Sequence, residues 1–259
     1  MTAKLTHIFR YPVKGLSAES LDHLTLKTGQ GLPHDRRFAI ARGDIGFNRE
    51  NPTWLRKTNF YMLMRNESLA RLRTRFEASS GVLTISEDGH ERASADITTL
   101  SGRQTMEEFF TDFLGDEAKD GAPCIMDSPG HMFGDASRKE GADTDKYVSL
   151  IGMASIRDLE KHTGSPVDPI RFRANLYMEG TEPWEEFSWI GKTLTIGTAR
   201  LRVLSRTVRC AATQVNPATA ERDLNVPKAL QRAFGHVDMG VYAEVIEDGN
   251  VALGNVIAP

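Results

Sequence analysis

Cysteine is nearly absent from this chain: Cys124 and Cys210 are the only two in 259 residues. They lie far apart and neither belongs to a C-x-x-C pair. That excludes a disulfide framework and any zinc or iron–sulfur site built from cysteine alone within one chain. An electron used here must come from another molecule. The seven histidines, His7, His23, His34, His90, His131, His162 and His236, show no H-x-H or H-x-x-x-H spacing, so no histidine metal site emerges. Long apolar runs are missing too. No stretch approaches the length that crosses a bilayer, and Met1 to Ile8 lacks the apolar core of a signal peptide. A reducing, cytoplasmic location with no membrane partner is the expectation. Charge of one sign is also lacking. With 32 Lys and Arg against 35 Asp and Glu, no basic excess points to nucleic acid. There is no Walker loop, no strand–G-x-G-x-x-G–helix unit and no G-x-S-x-G elbow, which removes the usual supports for nucleotide hydrolysis and serine-hydrolase chemistry.

What is present suits an ordinary globular core, with 40% hydrophobic and 26% charged residues. Short alternating segments such as Arg37 to Arg42 and Gly81 to Ser86, bounded by Gly or Asp turns, read as half-buried antiparallel strands. Leu5 to Arg10 reads as a further short strand. Gly240 to Ile246 and Val251 to Leu253 read as a hairpin turned by Asp248-Gly249, and Thr193 to Ile196 with Arg200 to Leu204 as another. Helices are few. Thr105 and Glu108 have capping-box spacing before an aromatic face that ends at Leu114, with Gly115 as a C-cap. Ser155 to His162 and Pro227 to Phe234 are closed by Gly164 and Gly235 in the same way. Gly115 to Asp145 reads as a long loop. The expected fold is mainly β and barrel-like, with a few helices outside. The expected division is an N-terminal β-barrel-like domain over 1–118 and a second domain over 119–259.

Four segments could carry chemistry. Cys210 sits in Arg206-Thr207-Val208-Arg209-Cys210-Ala211-Ala212-Thr213-Gln214-Val215-Asn216-Pro217. Two arginines within four residues favour the thiolate, which ligates metals and attacks electrophiles, although a lone cysteine is also a common buried hydrophobe. Lys14, in Tyr11-Pro12-Val13-Lys14-Gly15, could aim a charge at phosphate or could simply be a solvated turn residue. Arg36 follows Asp35 at a strand entrance, as a structural ion pair or an anion ligand. Read as a strand, Asp168 to Leu176 puts Arg171, Arg173 and Asn175 on one donor-rich face.

In order and spacing, Tyr-Pro-Val-Lys-Gly at Tyr11, Gly-Leu-x-x-Asp-Arg at Gly31, Arg-Phe-Arg-x-Asn at Arg171 and Arg-Cys-x-x-Thr-x-x-Asn-Pro at Arg209 resemble the MOSC family. Its members include the molybdenum cofactor sulfurase C-terminal domain and mitochondrial amidoxime-reducing component. The resemblance implies a MOSC N-terminal β-barrel domain followed by a MOSC domain, and a pterin molybdenum cofactor. It makes Cys210 the metal ligand and catalytic residue. It offers Lys14, Arg36, Arg171, Arg173 and Asn175 to the phosphate and pterin, and Arg209 to keep the thiolate. Thr213 and Asn216 would support the cysteine loop, with Ser155 a further candidate. Asn216-Pro217-Ala218-Thr219-Ala220 departs from the Asp-Pro-x-Thr-Gly of many relatives. No aminotransferase-like domain precedes residue 1, so pyridoxal phosphate chemistry is unsupported. The implied activity is reduction of N-hydroxylated small molecules, amidoximes or hydroxylaminopurines, with electrons from an external flavin or iron–sulfur protein. Two alternatives stand beside it: a carrier of the cofactor or of sulfur on Cys210, and a β-barrel interaction module in which Cys210 is merely buried.

Overall fold

Alternation is clearest in Ala199–Val208, where every second side chain from Ala199 to Val203 is buried. The computed structural model, which describes residues 2–135 and 146–259, shows what that buried face meets. Seven strands close into a barrel in the order Leu176–Glu179, Val148–Gly152, Asp238–Glu247, Ala199–Val208, Thr193–Ile196, Val256–Ala258 and Ala3–Arg10. The last returns to Leu176–Glu179 through an antiparallel pairing of Leu5 with Met178 and Ile8 with Leu176. Closure leaves no free edge in this ring, which protects strands as apolar as these from pairing with other chains. Leu5, Leu150, Leu176, Leu201, Val241, Ala243 and Ile257 fill the inside and are almost wholly buried. Each such Leu contributes roughly 1.5–3 kcal/mol by leaving water.

A smaller module packs beside the barrel. Arg73–Glu77, Val82–Glu87 and His90–Asp96 form an antiparallel meander. Helix α1, Leu100–Leu114, lays Met106, Phe110 and Leu114 into its core with Phe38, Leu83 and Ile85. Helix α1 starts earlier than the capping-box spacing implied. Thr99 is its N-cap, accepting from the Gly102 N–H at 3.1 Å, whereas the Thr105 hydroxyl donates to the Ser101 carbonyl at 3.2 Å. The stretch expected as one loop from Gly115 to Asp145 contains the strand Pro123–Asp127, paired with Phe38–Arg42; residues 136–145 lie outside the described residues. Helices α2, Met153–Thr163, and α3, Val226–Phe234, end on Gly164 and Gly235 in the left-handed conformation, as the sequence implied.

The terminal hairpin is corrected. Gly249–Ala252 pairs with His23–Leu26, not with the strand that precedes its Asp-Gly turn. The 193–196/199–208 hairpin is present, with Gly197 at φ 61° in its turn. Strands Ala3–Arg10, Glu19–Leu21 and His23–Leu26 are thus hydrogen-bonded to one another or to strands of the C-terminal half. Backbone pairing runs across residue 118 rather than stopping at it. Among the described residues no helix is long and apolar enough to cross a membrane.

Candidate cofactor site

The strand Ala199–Val208 leaves the barrel just before Cys210, which opens the short 3-10 turn Ala211–Gln214. Its half-buried thiol lines a cavity of about 420 Å³ together with Arg36, Arg171, Arg173, Arg209 and Thr213. Cross-strand register builds part of the wall. Tyr242 faces Ser205 on one neighbouring strand and Ser149 on the other. All three line the cavity, while the adjacent Val241 and Ala243 point into the barrel core. Irregularities between Val203 and Ser205 and between Arg206 and Val208 re-aim the strand where it meets the cavity.

The expected Arg171-to-Asn175 strand is not formed. Pro169–Phe172 is a 3-10 turn, opened by the Asp168 carboxylate accepting from the Ile170 N–H at 2.8 Å, and Arg173 is left-handed at φ 51°. Asp before Pro at the first helical position favours that turn over an extended chain. The three side chains still reach the cavity, each by its own path. Arg171 is nearly fully buried, grips both Asp223 oxygens at 2.6 and 2.7 Å, and donates to the Gln214 carbonyl at 3.1 Å. It therefore ties the cysteine loop to the segment that carries Asp223. Arg173 donates to the Leu16 carbonyl at 2.6 Å and lies 4.3 Å over the Tyr11 ring. Asn175 is a staple more than a free donor: its Nδ2 donates to the Phe9 carbonyl at 3.1 Å, and its Oδ1 accepts from the Ser149 N–H and hydroxyl at 3.1 and 2.9 Å.

Arg36 also sits in a turn, at φ 50°, not at the start of a strand. It pairs with Asp35, donates to the Arg173 carbonyl at 2.8 Å and stacks 4.8 Å over Tyr11. Burial opposes its charge, yet Asp35 and Asp135 hold its guanidinium above the ordinary value. Tyr11, buried beside two guanidinium groups, is pushed up to about 12, because burial outweighs their pull. Lys14 lies behind the wall. Its ammonium donates to the Phe133 and Gly134 carbonyls at 3.0 and 3.2 Å and to Asp135, whose segment lines the cavity. Burial lowers the Lys14 pKa and Asp135 resists the shift. Burial would raise the Asp135 pKa, but Lys14 and Arg36 hold it well below the usual carboxylate range.

The Arg209 guanidinium is tied to backbone carbonyls. Its Nε donates to the Met239 carbonyl at 2.9 Å and its Nη1 to the Phe172 carbonyl at 2.7 Å. Burial lowers its pKa, and Tyr242, Tyr177 and Cys210 oppose that shift. Arg206 also lines the cavity, and its guanidinium lies 4.3 Å over Phe187 and 3.8 Å from Asp238. Thr213 donates to the Cys210 carbonyl at 2.9 Å and so shapes the turn. Asn216 stands outside the cavity, where its Nδ2 donates to Asp223 at 2.7 Å. Ser155 is a buried latch, donating to Glu186 at 2.9 Å, and does not line the cavity. Sequence reasoning missed Tyr242, Ser149, Thr207, Asp135 and Asp223. The alternation around Val241 and Ala243 could have flagged Tyr242; no local pattern marks Asp223. Among the described residues no group of three or more His, Cys, Asp and Glu side chains converges to hold a metal.

The fold and the site define a closed β-barrel protein whose cavity is lined by a thiol and buried guanidinium groups. Within that class the family follows from comparison with known sequences. The profile of the MOSC domain matches residues 128–258, and that of the MOSC N-terminal beta barrel domain matches residues 2–123. The chain belongs to the MOSC family. Molybdenum cofactor sulfurase of Caenorhabditis briggsae is 24% identical over 247 residues, covering 92% of this chain and 33% of that protein. The Bos taurus protein of the same name is 22% identical, with 92% of this chain and 30% of that protein covered. The chain thus spans about a third of the length of these curated relatives. The solved YUAD protein from Bacillus subtilis aligns with 99% of this chain and 94% of its own at 13% identity, with a TM-score of 0.47.

Proposed function

We propose that this chain binds molybdenum cofactor through Cys210 and reduces N-hydroxylated small molecules with electrons from an external flavin or iron–sulfur protein. The observation that carries the cofactor assignment is the cavity's set of unmet donors beside a thiol. Arg171 and Thr207 are among the residues that line it, and the Nε of the one and the Oγ1 of the other are buried without a hydrogen-bond partner among the described residues. Buried polar atoms are rarely left so, and each costs about 1–3 kcal/mol until a ligand or water meets it. Charge points the same way. Among the described residues, the carboxylates that Lys14, Arg36, Arg173 and Arg209 meet are those of Asp35 and Asp135. That positive excess suits a phosphate, and the Cys210 thiolate suits a soft metal.

When bound, the cofactor supplies two-electron oxygen-atom transfer. The reaction joins two electrons and two protons to the N–OH group, breaks its N–O bond, and leaves N–H and water. This chain's part is to hold and orient. Cys210 would ligate the metal, Arg36 and Arg173 would hold the phosphate with Lys14 bracing Asp135 behind them, and Arg171 and Thr207 would offer polar groups to the pterin. Asn175 and Thr213 keep the wall and the turn in place, and Arg209 anchors the thiol's neighbour to the barrel.

Protein from a cofactor-competent host should contain molybdenum by mass spectrometry, and Cys210→Ser should lose most of it. With a dye as reductant, the loaded protein should consume amidoximes. A molybdenum-free wild type would overturn the cofactor assignment. A loaded but inactive protein would leave the second reading, a carrier of cofactor or sulfur, which the names of the sulfurase relatives favour.

A further inference from the structure

A second concave space, of about 360 Å³, adjoins the cysteine cavity. Leu16, Leu63, Leu72, Ile170, Val215 and Ala218 give it an apolar lining. Arg171, Arg173 and Ala212 line both spaces. The cysteine loop itself passes from one to the other: Cys210 and Thr213 face the cavity, and Val215 and Pro217 face the groove. Two tethers set its width. Arg73 donates to the Pro217 carbonyl at 2.8 Å, and Arg222 donates to the Leu63 and Met64 carbonyls at 3.1 and 3.0 Å. A groove of this size and apolar lining, sharing Arg171, Arg173 and Ala212 with a polar site, falls in the range of small-molecule sites, roughly 300–1,000 Å³.

We propose that this groove receives the apolar body of the substrate. The substrate class is then N-hydroxylated compounds bearing an aryl or alkyl group, with the N–OH end toward the cysteine cavity. This rests on the reductase reading above. The groove's hydrogen-bonding features support the orientation. Asp168 commits one carboxylate oxygen to the Ile170 N–H and has no further partner among the described residues, so it can accept from an amidine-type head at the Arg171 end. Leucine, isoleucine and valine walls reward burial of carbon and offer nothing to a small polar molecule.

The test fills the groove without touching the cavity. Ala218 is an exposed rim residue and Ala18 a half-buried one on the groove's wall, so Ala218→Trp and Ala18→Trp occupy the space with little threat to folding. Benzamidoxime and hydroxylamine are the paired substrates, with dye as reductant. Both variants should keep wild-type molybdenum content and hydroxylamine turnover, while KM for benzamidoxime rises on the order of tenfold or more. An unchanged KM in both variants overturns the proposal. Binding is read separately, by displacement of the neutral apolar dye N-phenylnaphthylamine by benzamidoxime. If no compound turns over at all, the reductase reading fails. The groove is then judged by displacement alone: retained in wild type and lost in both variants supports an apolar ligand site, and absent in wild type refutes it.

Discussion

Asp223→Asn isolates the pair that holds the cysteine loop against the turn at Pro169–Phe172. In the native protein Arg171, 3% exposed, meets both oxygens of Asp223, which is 37% exposed. Removing one partner of a fully buried ion pair costs about 3–5 kcal/mol, because a bare charge stays in the interior. Two features reduce that here. Water screens the exposed side of Asp223, and the amide oxygen of the substituted side chain can still accept one bond. The loss should be about 2 kcal/mol, or a fall in Tm of roughly 4–8 °C for a chain of this size. Differential scanning fluorimetry, with urea unfolding as a check, reads it. Arg171 also anchors the Gln214 carbonyl, so cofactor content should fall with stability. The pH dependence follows from the shift on Asp223. Burial works against its charge, yet hydrogen bonds from Arg171 and Asn216 hold its pKa below the ordinary value. A depressed carboxylate stabilises above its unfolded pKa, about 3.9, and loses that contribution as pH falls through the folded pKa. Wild type should therefore lose stability below about pH 4 faster than Asp223→Asn. A variant within about 1 °C of wild type, with the same acid profile, would refute the reasoning.

Two further substitutions probe the cavity and its loop. Thr207→Val removes the orphaned hydroxyl at nearly constant shape; cofactor-free protein should gain about 1 kcal/mol while molybdenum retention falls, and a parallel fall in both would show the hydroxyl to be structural. Ala220 holds φ 60°, in the left-handed region that favours glycine, and its N–H donates to the Asn216 carbonyl at 2.9 Å. Ala220→Gly should raise stability by about 1 kcal/mol in urea melts, since left-handed backbone penalises a Cβ.

The sequence announces this fold where one residue settles a local conformation. Glycines after Leu114, Thr163 and Phe234 end their helices because φ is positive there. The Gly197 turn sets its hairpin for the same reason. Asp248-Gly249 offers an equally good turn signal, but Gly249–Ala252 finds its partner in His23–Leu26. Local turn chemistry carries no information about a strand more than two hundred residues away. At Arg171 to Asn175 the alternation that suggests a strand competes with Asp168 and Pro169, and capping wins. The site residues were legible as residue types at particular spacings. Their partners were not. Asp135, Asp223 and Tyr242 meet Lys14, Arg171 and the cavity only after the barrel closes, since each contact joins distant parts of the chain.

The ring of strands also dictates a timetable. Ala3–Arg10 leaves the ribosome well before its barrel partners, Leu176–Glu179 and Val256–Ala258. At about 5–20 residues per second, synthesis holds that first apolar strand unpaired for roughly 10–50 s before the last one arrives. The meander and α1 can fold in that interval from local contacts alone. Barrel closure, and with it the seating of Arg36 and Arg173 around Tyr11, must wait until Val256–Ala258 has been made, so the cysteine cavity belongs to the closed barrel rather than to the nascent strands.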